Sequence, residues 1–300
     1  MENSIIELRE VKKNFGVFPA LKEVSFSVPQ GSITGFVGRN GAGKTTTIRT
    51  VMGLMNYEGS VKVKGKEVRE GYALLREGIG YMPETFSLYP YFSCKEMIKF
   101  NGKFFGKIDY NRAKEYAEIF ELDLNKKIKF LSKGLKQALS FIIAVSTNPE
   151  ILILDEPVSG MDPIARNNFL KILSEQCGKN GTTIFYSSHI LEDLEKIADR
   201  IVIIHKGKIL LEGELDNLKE NYKRIAVVFK DAINKKDIER IEGIKRVEED
   251  GNGFLIIAKR NPKNVLEQLN KLNPLSMDTY DMNLNDIFKE IVGGKDESTN

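Results

Sequence analysis

The stretch that most constrains this chain is ITGFVGRNGAGKTTTIRTV, residues 33–51. ITGFV reads as a buried strand. GRNGAGKT, residues 38–45, then has the spacing G-x-x-x-x-G-K-[ST], and a helix is predicted from about Lys44 to Met55. That pattern carries weight only in the order strand, loop, helix, which is the order here. Glycines at 38, 41 and 43 let the backbone curl without Cβ clashes, so the amides of the loop, Asn40 and Ala42 included, can turn toward an anion. The helix start adds the positive end of its dipole. Lys44 is then a point charge for β- and γ-phosphates, Thr45 a hydroxyl for Mg²⁺, and Thr46 a contact to the α-phosphate.

Further along, ILILDEP (residues 151–157) sets four apolar residues before Asp155 and Glu156. A buried strand delivers its C-terminal residues to the edge where open α/β sheets bind ligands. There Asp155 would support a Mg²⁺ shell through water, and Glu156 would polarise an attacking water as general base. The plainer reading is a strand ending in two solvated acids. TTIFYSSH, residues 182–189, is a second buried run, and it ends in His189, one of only two histidines. His189 can reach a γ-phosphate and orient water relative to Glu156, or it is an ordinary strand-end histidine.

About 110 residues separate Lys44 from Asp155. Most of them, from about Ser93 to Thr147, are helical in pattern. Ser93 caps the first stretch, the region of Asp109 starts the second, and LSKGLKQAL (131–139) opens the third. Ser132 can cap that third helix, with Leu135, Leu139 and Ile142 on one face. A serine and a glycine (Ser132, Gly134) at a helix N-terminus can equally hold a phosphate. The segment from Glu84 to Gly106 is rich in aromatics: Phe86, Tyr89, Tyr91, Phe92, Phe100, Phe104 and Phe105. These either pack on one another or form a groove for a partner.

The chain is 300 residues long, comfortable for two domains. Its net charge of +3 is too weak to argue for nucleic acid. Cys94 and Cys177 fit a reducing compartment better than a disulfide framework. The N-terminus has no apolar signal-peptide core, and no run approaches the ~18 apolar residues of a membrane span. A soluble, cytosolic protein without direct membrane insertion is expected. After about Asp216 the composition shifts. The pattern becomes strand, helix, strand, strand, helix, strand, helix, a split βαβ order that predicts a small ferredoxin-like α+β domain.

Taken together, the motifs resemble the ATPase subunit of ATP-binding cassette (ABC) transporters over roughly residues 4–218. GRNGAGKT resembles Walker A, ILILDEP Walker B with its glutamate, SGMDP (159–163) the D-loop with Asp162, and SSHILED (187–193) the switch-histidine segment. KNFG is similar to the adenine-stacking loop, with Phe15 where the family often has tyrosine. IGYMPE looks like the Q-loop, with Glu84 in place of glutamine. LSKGLKQ looks like the signature, departing from LSGGQ at Lys133 and Leu135, with Ala138 where arginine is common. Related exporter-type subunits are similar in accepting Ser-Lys-Gly and Pro-Glu here.

The resemblance implies a P-loop NTPase of ABC type: a mixed sheet core with a helical subdomain at about 86–147, making domain 1–218, followed by the α+β domain at 219–300. It implies ATP and Mg²⁺ as ligands, with metal-side roles for Thr45, Glu84 and Asp155. It implies a separate membrane permease as partner, a homodimer or heterodimer with another ABC ATPase, no direct nucleic acid, and a place on the inner face of the cell membrane. Ser132 and Gly134 would close on the nucleotide held by a second subunit. The activity implied is ATP hydrolysis driving transport, with export of a peptide-like or amphipathic compound. A soluble ABC-type ATPase acting on a ribosome or DNA is the alternative. Such proteins usually carry two cassettes or long coiled coils, and this chain has neither feature.

Overall fold

The protein is described by a computed structural model covering residues 4–69, 77–85, 87–105 and 108–296, without the side chains of 104, 105 and 294–296. Phe86 and Gly106, the side chains of Phe104 and Phe105, and the last four residues of the tail therefore lie outside the described residues. The chain divides into two compact units, Met1–Glu212 and Gly213–Asn300. The division falls six residues before the 218/219 boundary that the resemblance implies.

In the first unit, β1 (Ser4–Phe15) and β2 (Phe18–Pro29) form a long antiparallel hairpin. β3 (Ile33–Val37) leads through the glycine-rich loop into α1 (Lys44–Val51). The helix is one turn shorter than its apolar pattern suggests, because the chain reverses at Gly53 (φ +62°). β4 (Glu58–Val63) and β5 (Lys66–Glu67) turn at Lys64–Gly65. These strands form their own antiparallel sheet in the order β2-β1-β4-β5.

β6 (Ile79–Met82) precedes the helical segment of α2 (Cys94–Phe105), α3 (Tyr110–Ile119) and α4 (Lys133–Val145). Then β7 (Ile151–Asp155), α5 (Pro163–Asn180), β8 (Thr183–Ser188), α6 (Leu191–Ile197), β9 (Arg200–His205) and β10 (Lys208–Glu214) follow in alternation. The second sheet has the order β10-β9-β3-β8-β7-β6, parallel from β9 to β6. β3 and β7 are fully buried, as parallel strands covered on both faces must be. The two sheets face each other through Phe26, Phe36 and Phe185, with ring centroids 5.3–5.7 Å apart.

The helices begin where short polar side chains can satisfy their orphan amides. Ser93 and Glu96 form a reciprocal capping box on α2, at 3.2 and 2.7 Å. Asp109 caps α3, accepting from the amides of Asn111 and Arg112. Among the aromatics of the helical segment, Tyr89, Phe92 and Phe100 pack on one another at 5.1–5.7 Å, whereas Tyr91 is exposed.

The second unit holds α7 (Leu215–Asn221), β11 (Tyr222–Phe229), α8 (Lys235–Glu239), β12 (Ile244–Asp250), β13 (Gly253–Lys259), α9 (Pro262–Asn270), β14 (Pro274–Asp281) and α10 (Leu284–Asp296). Its sheet is antiparallel in the order β12-β13-β11-β14, the ferredoxin-like arrangement of a βαββαβ chain. Ile225, Val227 and Phe229 pack with Ile238, Val265 and Leu269 on one side. Tyr222 and Ile257 meet Met282 and Ile287 on the other. No helix among the described residues is long and apolar enough to cross a membrane.

Candidate functional site

The centre of the parallel sheet puts the ends of β3, β7 and β8 side by side. The loop after β3 is tight for steric reasons. A Cβ on Gly38 would lie 2.6 Å from the carbonyl oxygen of Ile204, and Gly43 sits at φ +114°. Gly43 is the N-cap of α1 and gives it no side-chain cap. The amides of Lys44, Thr45 and Thr46 have no intrahelical acceptor by the geometry of a first turn. Three donors thus converge with the helix dipole on one point, which is the arrangement that holds an anion. Asn40 and Gly41 are exposed at the tip of the loop, while Ala42 is buried and closes it by accepting from the Gly207 amide at 3.0 Å.

Lys44 is buried. Its ammonium donates to the carbonyl of Gly38 at 2.7 Å and pairs with Glu156 Oε1 at 3.0 Å. The second carboxylate oxygen of Glu156 lies 2.7 Å from His189 Nδ1. One carboxylate therefore bridges the cation of the loop and the histidine after β8. Glu156 adopts φ +49°, a left-handed conformation that costs a non-glycine residue about 1 kcal/mol or more. It is held there by its amide on Ser187 and by Gln137 Nε2, which donates to its carbonyl at 3.3 Å.

Asp155 is completely buried. Burial pushes its carboxyl above the usual carboxylate range, the Ser187 and Thr45 hydroxyls pull it back, and the negative charges of Glu84 and Glu156 push it further up. Ser187 donates to Asp155 Oδ1 at 2.6 Å, whereas Oδ2 is buried with no hydrogen-bond partner among the described residues. No group of three or more His, Cys, Asp or Glu placed to hold a metal ion by itself is found among the described residues. The hard-oxygen donors beside the loop are the Thr45 hydroxyl and this Asp155 oxygen.

Ser132 caps α4, its hydroxyl accepting from the Leu135 amide at 3.2 Å. Asp162 caps α5, accepting from Ile164 and Ala165 at 2.9 Å, with Pro163 at the first helical position. Both side chains are exposed. Gly134 packs so closely on Gly160 that a Cβ would lie 2.7 Å from its carbonyl oxygen. Phe15 stands exposed at the end of β1 with the Lys13 ammonium 5.4 Å from its ring centre. Glu84 is exposed two residues beyond β6.

Three residues that the motifs did not single out take part. Ser187 meets Asp155 because β7 and β8 pair in parallel with those two residues in register. The run of two serines before His189 was the available signal. Gln137 and Ser159 stand in LSKGLKQ and SGMDP, but nothing in those motifs gives their contacts, which depend on how α4 lies against the chain after β7.

A covered parallel sheet whose glycine-rich loop after β3 enters a helix, with an acid pair at the end of β7, one strand removed across β8, defines a P-loop ATPase cassette. Comparisons with known proteins narrow this. The family model described as ABC transporter matches residues 21–159. The bacitracin transport ATP-binding protein BcrA of Bacillus licheniformis is 31% identical over 97% of this chain and 98% of its own. A solved ATP-binding subunit of an ABC transporter superposes with TM-score 0.67 at 30% identity, covering 72% of this chain and 92% of that one. A dimeric ATP-binding cassette in a post-hydrolysis state, bound to ADP and Pi, has the same fold with TM-score 0.64 at 24% identity, over 70% of this chain and 98% of that one. The chain belongs to the ABC transporter family, as an ATP-binding and hydrolysing subunit.

Proposed function

We propose that this subunit energises a separate membrane permease that exports a peptide-like or amphipathic compound, working from the inner face of the cell membrane. The observation that carries the ATPase part is the convergence of Lys44, Glu156 and His189 at the phosphate loop, with separations of 3.0 and 2.7 Å. The export part draws on the bacitracin transport relative. A groove of about 350 Å³ between β6 and α2, lined by Met52, Leu54, Tyr81, Leu88 and Met97, supports a permease segment as partner.

In this reading the nucleotide's β- and γ-phosphates compete with Glu156 for Lys44, and Phe15 stacks on the adenine. Gly38, Asn40, Gly41, Ala42 and Gly43 shape the cradle, and the amides of Lys44, Thr45 and Thr46 donate to the phosphates. Thr45 and the orphan Oδ2 of Asp155 fit a Mg²⁺ ion, with Glu84 adding to the negative potential. Such an ion would neutralise charge on the β- and γ-phosphates. Glu156, freed from Lys44, takes the proton of the attacking water, and His189 steadies its second oxygen. Two subunits, identical or not, would set Ser132, Gly134 and Asp162 of each against the nucleotide of the other, and hydrolysis would release that closure.

The test is Glu156→Gln. Phosphate release should fall roughly a hundredfold or more, the usual contribution of a general base, while ATP is still bound. Undiminished turnover would remove Glu156 from the role of base.

A further inference from the structure

The lysine that interrupts the signature stretch takes part in a contact within its own subunit. Lys133 Nζ donates to Ser159 Oγ at 3.2 Å. Its methylenes cover Gly160, where a Cβ would meet Lys133 Cδ at 3.0 Å and where the backbone is at φ +88°. Directly beside it, Gly134 rests on the Gly160 carbonyl. One helical turn on, Gln137 donates to the Glu156 carbonyl. The loop between these contacts is short and internally tied: the amide of Ser159 donates to the Glu156 carbonyl at 3.3 Å, and that of Met161 to the Val158 carbonyl at 3.1 Å. The start of α4 is thus fastened at three points to residues 156–160, and that loop begins with the carboxylate that pairs with Lys44 and His189.

A lysine in the first turn of a helix is electrostatically unfavourable, by roughly 0.3–1 kcal/mol. Here its side chain is directed away from the helix axis onto a neutral hydroxyl, so the helix dipole does not explain it.

We propose that Lys133 is a positioning residue for ATP hydrolysis. It holds the loop of Ser159 and Gly160 against α4, so that Ser132 and Gly134 keep a fixed distance from the Glu156 carboxylate. A movement at the signature end is then transmitted to the base through Ser159. This inference rests on the assignment of Glu156 as base in the proposed function.

The test uses the full chain with Lys133→Met, which keeps most of the apolar stem over Gly160 but removes the donor. Lys133→Arg and Ser159→Ala accompany it. Lys133→Met should lower kcat about tenfold, as expected for a sub-ångström misplacement of a catalytic group, with KM for ATP within about twofold. Arg should restore most of the rate. Ser159→Ala should reproduce the Met effect, and the double variant should lose no more than either single one. Amide hydrogen exchange over residues 158–161 should rise in Lys133→Met and return toward wild type in Lys133→Arg.

A raised KM with unchanged kcat would overturn the proposal, because Lys133 would then be touching nucleotide. So would losses that multiply in the double variant, or exchange that does not respond to Lys133→Met. The exchange arm reads the contact without turnover, so an inactive wild-type chain would count against hydrolysis by this chain alone while the Lys133–Ser159 contact is still decided.

Discussion

Replacing Gly134 with alanine adds one methyl group at the contact between α4 and the loop after β7. The new Cβ would lie 2.7 Å from the Gly160 carbonyl oxygen, where ordinary contact starts at 3.4 Å. Backbone is on both sides, so one element must move by about 0.7 Å, the difference between those distances. A 1 Å displacement of reacting groups costs on the order of 100-fold in rate, which puts Gly134→Ala at roughly 10- to 100-fold in kcat. Stability should respond much less. Overpacking costs about 1–3 kcal/mol, and alanine in a helix regains up to about 1 kcal/mol over glycine. A net loss near 1 kcal/mol lowers Tm by about 2–4 °C in a unit of this size. The assay is phosphate release at saturating ATP beside a thermal melt. An unchanged rate would refute the view that close approach at Gly134 sets the geometry of the site. A collapse of the melt would show that the glycine serves folding instead.

Phe15→Ala should raise the Kd for ATP roughly 5- to 150-fold, since stacking on a base contributes about 1–3 kcal/mol, while Phe15→Tyr should stay near wild type. Titration of a nucleotide fluorophore measures both. Asp155 is buried with a raised pKa, so its ionised form opposes folding, and stability should fall as pH rises through the raised folded-state value. Asp155→Asn should therefore melt higher than wild type at neutral pH without nucleotide, the gap closing in acid, and should bind Mg²⁺ with ATP more weakly. Arg166→Met leaves the buried carboxylate of Asp193 without its cation and should cost about 3–5 kcal/mol in chemical denaturation, with little direct effect on nucleotide affinity.

The local chemistry is legible in the amino-acid sequence. Glycines at 38, 41 and 43 before Lys44 can serve few backbones other than a phosphate loop, because side chains there would meet Ile204 or demand positive φ. Ser93, Asp109, Ser132 and Asp162 marked their helix starts because a cap acts within three residues. The alternation of strand and helix in the second unit was legible for the same reason, as period-2 and period-3.6 patterns are local.

Everything that depends on register and on contacts between distant segments came from the folded chain. The first two strands gave no sign that they leave the parallel sheet for an antiparallel one of their own, since either sheet buries the same apolar faces. Nothing in ILILDEP says that Glu156 takes a left-handed backbone and joins Lys44 to His189. That follows from β3, β7 and β8 lying parallel with their ends level. Ser187 reaches Asp155 through the same register, and Lys133 finds Ser159, 26 residues further along the chain, only because the start of α4 lies against the loop after β7. Motif spacing fixes which groups are present, and the pairing of strands and the seating of one helix fix which of them touch.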